Sequence, residues 1–208
     1  MASRKHRHIW LLIRNRFFPL DTDAIISACL AARLDAYMAA WQHVASITGQ
    51  STEESASEQS SDLHDDESSA DAASIADTMQ RMAESAALAF LAAFTGTPDE
   101  AEIALLAYMR QWINDYSAAK SKQVGSYETG RGWETGITDA IDRIIGGGQT
   151  VVPEDYIVTV IPDFSSPDEC ADYAGDIFEL DELDDIPEFP IHPNCPHMKI
   201  LMKRADSE

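Results

Sequence analysis

The chain is short of cysteine, of basic residues and of long apolar runs, and each shortage removes a class of protein. Three cysteines in 208 residues, Cys29, Cys170 and Cys195, are too few and too unevenly spaced for the disulfide framework of a small secreted domain. Only 15 bases stand against 36 acids, a net charge of −21, so most of the surface repels nucleic acid and anionic lipid. No window of the sequence is read as reaching the roughly 18 to 20 apolar residues of a membrane-crossing helix, and no membrane partner is expected. The basic start at residues 4–8 leads into only five apolar residues before Arg14 and Arg16 interrupt, with no small-residue cleavage site, so secretion is not expected. A reducing host cytoplasm is the expected compartment for folding and assembly. Phosphate-loop, nucleophile-elbow and H-E-x-x-H patterns are all missing. The expectation is a chain that is not an enzyme.

Apolar residues make up 45% and charged residues 25% of the chain, the composition of a folded domain. The length suits one core, or one core with a small appendage. Charge is uneven along it: residues 1–20 hold Arg4, Lys5, Arg7, Arg14 and Arg16 and no acid, and subtracting that +5 leaves −26 on the remainder. These residues, with Trp10, form the expected partner-binding set of a basic arm. As a helix the arm would align Ile9, Leu12, Ile13 and Phe17 on one side. Docking onto a partner or packaged DNA, and folding back onto the acidic body, are both open.

Residues 21–148 read as a helical body. Asp21, Thr22 and Asp23 offer caps, and Ile26, Leu30, Leu34, Tyr37, Trp41 and Val44 recur at helical steps, which predicts a helix over 22–48. Residues 49–74 are rich in Ser, Glu and Asp and read as a flexible acidic linker, with a helix start near its end. Helical periodicity resumes from Ile75 to Phe94. Thr97, Pro98, Asp99 and Glu100 then form a T-x-x-E capping box with proline at the first helical position, followed by Ile103, Leu106, Met109 and Trp112. The tight connection favours an antiparallel pair. Next, GSYETGRGWETG reads as a loop, since each glycine costs a helix about 1 kcal/mol relative to alanine. A short helix through Ile141 to Ile145 follows and is stopped at Gly146, Gly147 and Gly148.

From 149 to 208 the pattern changes to a C-terminal Cys/His lobe. Tyr156 to Ile161 reads as a strand between prolines, and Ile177 to Leu180 and Met198 to Met202 as two more. The predicted fold is therefore mainly α, a helical body with a small irregular or β-containing C-terminal lobe. Cys170, His192, Cys195 and His197 lie in this lobe in the pattern C-x21-H-x2-C-x-H, the sulfur and imidazole donors that zinc prefers. In H-P-N-C, proline biases His192 to an extended backbone and Asn194 tolerates the positive φ of a tight turn, so His192 and Cys195 can converge. A reduced, partly buried packing cluster and a structural zinc site both fit; no other cofactor is expected.

The run from Cys170 through C-A-D-Y-A-G-D-I-F-E-L to F-P-I-H-P-N-C-P-H resembles the C-terminal end of the phage Mu F-like head-morphogenesis proteins, the minor head or minor capsid family. Cys170, Gly175, His192, Pro193, Asn194 and Cys195 occupy places of its motif, and His197 stands at its terminal ligand-like position. Pro167 replaces the family's first cysteine and Pro196 its arginine. The resemblance covers about thirty residues. It implies a virion structural protein in the head interior or near the portal vertex, present in multiple copies, with portal and major capsid proteins as partners. A part in head assembly, DNA packaging or ejection would follow. Two other classes compete: a zinc-associated DNA-processing enzyme of the HNH nuclease type, whose catalytic histidine pair has no counterpart upstream, and a soluble adaptor unrelated to phage.

Overall fold

The computed structural model describes residues 4–18, 20–50, 65–147, 151–162, 169–192 and 194–205. Among them are helices α1 (Arg4–Arg14), α2 (Thr22–Thr48), α3 (Asp65–Ala93) and α4 (Pro98–Ile141), the last running into a π-helical turn at Asp142–Gly146. Strands β1 (Tyr156–Ile161), β2 (Ile177–Phe178) and β3 (Met198–Lys203) form one antiparallel sheet in the order β2-β1-β3. The fold is thus mainly α with a small β-containing C-terminal lobe, as the patterning predicts. Most of the acidic segment, residues 51–64, lies outside the described residues; its end, from Asp65, begins α3.

Packing divides the chain into two units that cut across the expected arm, body and lobe. One comprises Met1–Ala28 with Asp65–Lys122, the other Cys29–His64 with Gln123–Glu208. In the first unit, Ala83, Ala87 and Leu91 recur at four-residue steps on α3 and Ala101, Leu105 and Met109 on α4, and both stripes are buried. Alanine on these faces lets the helices approach closely, and Phe90 stacks on Tyr108 with centroids 4.6 Å apart. The capping box forms as read: the Thr97 N–H donates to Glu100 Oε2 at 2.8 Å and the Glu100 N–H to Thr97 Oγ1 at 3.4 Å. The bond from the Thr97 backbone holds the Glu100 carboxyl below the usual carboxylate range.

One side of the basic arm folds onto its own unit. Helix α1 packs on α3 with Ile9, Trp10 and Ile13 buried. Trp10 is 2% exposed and edge-on to Phe18, so it anchors the unit's own core. Leu12, expected on the packed side, is instead 54% exposed. A buried tryptophan holds the helix more firmly than leucine would, and its position sets which face turns inward.

In the second unit the expected loop over GSYETGRGWETG is α4 itself. Its glycines are the means of helix packing: a Cβ on Gly132 would lie 2.2 Å from the Arg33 carbonyl oxygen, and one on Gly136 2.6 Å from that of Tyr37. The two backbones touch at matching four-residue steps, and numbering rises together on both, so α2 and α4 run parallel here. Close contact over this stretch outweighs the low helix propensity of glycine. The short helix expected near Ile141 is likewise the end of α4 and its π turn, closing at Gly147.

One correction concerns apolarity. Asp23–Thr48 is long and apolar enough, by length and composition, to cross a membrane, with a mean hydropathy of 1.3 over its best window. Its Tyr37, Ala40, Trp41 and Val44 are fully buried in the unit's core, while Asp23, Ser27, Asp35, Gln42 and Ser46 are exposed. The buried residues of this helix pack in the unit's core, and a third of the apolar window is buried.

The sheet closes the core from the C-terminal side. β1 pairs with β3 over Tyr156↔Lys203 to Ile161↔Met198 and with β2 at Val158↔Phe178 and Thr159↔Ile177. Leu180, expected at the end of β2, instead opens a 3-10 helix, Leu180–Asp185, started by a capping box between Glu179 and Glu182. Tyr156, Val158, Val160 and Leu201 face the helices and are buried. The edge of β3 away from β1 is closed by side chains: Trp133 Nε1–H donates to the Lys199 carbonyl at 2.7 Å, and His43 Nε2 lies 3.0 Å from the Leu201 carbonyl. These bonds stop the edge from templating another strand.

Replacing Gly136 with alanine should lower stability by about 1 to 3 kcal/mol through overpacking. Gly125→Ala on the same helix, with open space around its Cβ, should raise stability by up to about 1 kcal/mol. Urea unfolding of both variants checks the opposite signs.

Candidate metal centre

Three local structures bring the lobe's sulfur and imidazole groups together. Cys170 sits on the 3-10 helix Glu169–Tyr173 and is completely buried. His192 and Cys195 flank a tight turn closed by the Cys195 N–H donating to the His192 carbonyl at 3.0 Å, with Asn194 at φ 70°. The left-handed position is one that asparagine tolerates, as the H-P-N-C reading requires. His197 immediately precedes β3 and is 2% exposed.

Cys170 Sγ is the hub. His192 Nε2 and His197 Nδ1 each lie 3.2 Å from it, and the Cys195 thiol is 4.0 Å from the His197 carbonyl oxygen. The ligand atoms of Cys170, His192 and Cys195 all fall within 4.8 Å of one another. A tetrahedral zinc ion, with bonds of about 2.3 Å to sulfur and about 2.0 Å to nitrogen, needs ligand separations of roughly 3.5 to 3.8 Å. The donor set is therefore compact enough to hold a metal ion after small adjustment. His197 joins the group through Cys170: it offers either a fourth donor or an imidazole N–H that steadies the Cys170 thiolate.

The cluster is walled by the unit's apolar core. Cys170 packs with Ile186, Phe189 and Val160, and Cys195 borders the same cluster. Phe189 stands 6.2 Å edge-on from Tyr173 and 6.4 Å from the His197 ring. Cys170 and His197 are buried, while His192 and Cys195 are partly exposed.

Of the four residues expected to ligate, Cys170, His192 and Cys195 form a group that could hold a metal ion, and His197 touches that group through Cys170. The expected partner set does not behave as one group: Arg7 and Arg16 are exposed, Arg14 is half-buried and Trp10 is buried. The side chains of Arg4 and Lys5 lie outside the described residues.

Charged residues buried near the lobe escape the motif reading. Arg33 pairs with Glu128, at 4% and 1% exposure, between α2 and α4. Glu134 of α4 contacts the Lys199 ammonium of β3, tying helix to sheet. Burial pushes the Glu134 carboxyl above its ordinary value, with Lys199 opposing that shift. The Tyr37 hydroxyl donates to Asp139 Oδ2 at 3.0 Å, and burial raises both groups. A signal for these pairs exists in the pattern: Arg33 interrupts the apolar stripe between Leu30 and Leu34, and Lys199 falls at an inward position of the alternation M-K-I-L-M-K.

Removing one member of the Glu134–Lys199 pair leaves the other charge buried, so Lys199→Met should cost about 3 to 5 kcal/mol. The double variant Glu134→Leu/Lys199→Met should cost less than either single change, measured as a double-mutant cycle in urea. Because the folded Glu134 carboxyl binds its proton more tightly than the unfolded one, its contribution to stability falls as pH rises from the ordinary carboxylate value of 4.5 through the raised folded value. Comparing wild type with the double variant across acid pH reads that slope.

Comparison of the chain with family models, with curated proteins and with solved structures gives no match.

Proposed function

We propose that the chain is a non-enzymatic structural protein of a phage head, acting in assembly near the portal vertex, with a C-terminal lobe fastened by a structural zinc ion. The observation that carries the reading is the convergence of Cys170, His192 and Cys195, with His197 against Cys170, around the H-P-N-C turn. That is the segment whose sequence resembles the Mu F-like head-morphogenesis proteins. Cys170, His192 and Cys195 would hold the metal, and His197 would fill the remaining position or orient the Cys170 thiolate. When bound, zinc supplies a cross-link between the 3-10 helix at Cys170 and the approach to β3. The chain's own residues do the rest: Phe189 and Ile186 exclude water, and Asn194 sets the turn that aims the ligands.

Burial argues for bracing over hydrolysis. A catalytic zinc keeps one coordination position open to substrate, whereas here Cys170 and His197 are buried and His192 and Cys195 are only partly exposed. The surrounding acidity also disfavours a DNA substrate. A braced lobe suits a protein whose work is to hold neighbouring subunits in register.

Two measurements test the reading. Purified protein should retain about one zinc per chain by elemental analysis, and Cys170→Ser should lose it. Chelation should lower the melting temperature, the lost stabilisation being about 2.7 kcal/mol when free zinc stands about a hundredfold above its dissociation constant. A zinc-free protein whose melting ignores chelator and added zinc would leave the cluster as packing alone. Independently, the chain should co-sediment with heads and cross-link to portal or major capsid protein in infected cells. A free cytoplasmic pool with neither partner would defeat the assembly role.

A further inference from the structure

The sheet of the second unit has an apolar face that the helical core does not use. The register places Ile157 beside Met202, Ile161 beside Met198, and Thr159 between Ile200 and Ile177. These side chains point away from the core face formed by Tyr156, Val158, Val160 and Leu201. None of the six apolar ones belongs to the packed core or its partly buried margin. Ile177 is 64% and Met202 43% exposed, and Ile157, Ile161, Met198 and Ile200 are half-buried. An antiparallel sheet normally turns polar residues to water on its free side, and an apolar cluster there marks an interaction surface.

Charge selects the occupant. Residues 123–208 hold 19 acids and 5 bases, and two of those bases are already engaged, Lys199 with Glu134 and Arg204 with Glu179. Asp155, Asp176 and Glu179 flank the sheet and are exposed. Pairing two such faces against each other would bring like charges together. The first unit carries the complement: on α1, Leu11 and Leu12 are each 54% exposed, with Arg7 and Arg16 exposed and Arg14 half-buried beside them. That helix keeps Ile9, Trp10 and Ile13 for its own core and leaves a second, basic and apolar side free.

We propose that the outer sheet face of one copy binds the outward side of α1 of a second copy, in a head-to-tail contact. Apolar contact comes from Leu11 and Leu12 against Ile177, Met202 and their neighbours. The arginines meet the acidic rim, which directs this arrangement over face-to-face pairing. Because donor and acceptor surfaces differ, the contact is heterologous, and every copy offers one surface of each kind. The inference rests on charge and exposure and is independent of the zinc reading.

Sedimentation velocity on the full chain tests it. Wild type should self-associate with concentration at low salt, and raising NaCl from 50 to 500 mM should weaken association about tenfold or more. Leu11→Glu/Leu12→Glu and Ile177→Glu/Met202→Glu, each confirmed folded by circular dichroism and melting, should both sediment as monomers. Mixing those two variants should restore a one-to-one complex, since each keeps the surface that the other has lost. Absence of wild-type association at 200 μM would overturn the proposal. Association lost in the sheet variant but kept in the α1 variant would also overturn it, in favour of face-to-face pairing, and so would failure of the two folded variants to complement.

Discussion

The second unit depends on the near-contact of two helix backbones. Gly132 and Gly136 leave no side chain between α4 and the Arg33 and Tyr37 backbone of α2. At that separation the neighbouring residues of α4 within this unit are held in register with α2. Trp133 and Glu134 are thereby aimed at β3, one meeting the Lys199 carbonyl and the other its ammonium. Gly130 lies against Pro190, two residues before His192. A single stretch of small residues therefore governs how the helices meet, where the sheet docks and how the Cys/His cluster is framed.

The buried charges follow from the same geometry. Helices this close exclude water along their seam, where Arg33 lies opposite Glu128, and the packed sheet does the same for Lys199 opposite Glu134. Such pairs add little net stability compared with apolar residues of similar size, but they penalise any shift in register that separates them. In a parallel helix pair with a smooth glycine seam, that penalty opposes sliding. The apolar core supplies cohesion, and the ion pairs supply position.

Much of this architecture was legible in the sequence, for local reasons. The apolar steps of α2, the capping box at Thr97 and the β-branched run of β1 each act through neighbours a few residues away. The three strands fell within a residue or two of their predicted limits, and three of the four Cys/His residues, Cys170, His192 and Cys195, came together around the H-P-N-C turn. What stayed hidden depends on long-range contact. Glycine in GSYETGRGWETG marks a loop by propensity, and only the presence of α2 a hundred residues earlier turns it into a helix seam. Likewise Trp10 has no local sign that it, not Leu12, is the inward residue of α1. The division into two units was equally invisible, because both α2 and α4 contribute residues to each.

The clamps on the sheet set a limit on how this protein can be stored at high density. With β2 only two residues long and the outer side of β3 occupied by Trp133 and His43, neither margin offers a run of open backbone. Crowded copies therefore lack the ladder by which strands propagate into fibrils. Contacts among them must be made by side chains, whose strength responds to ionic conditions and whose formation is reversible.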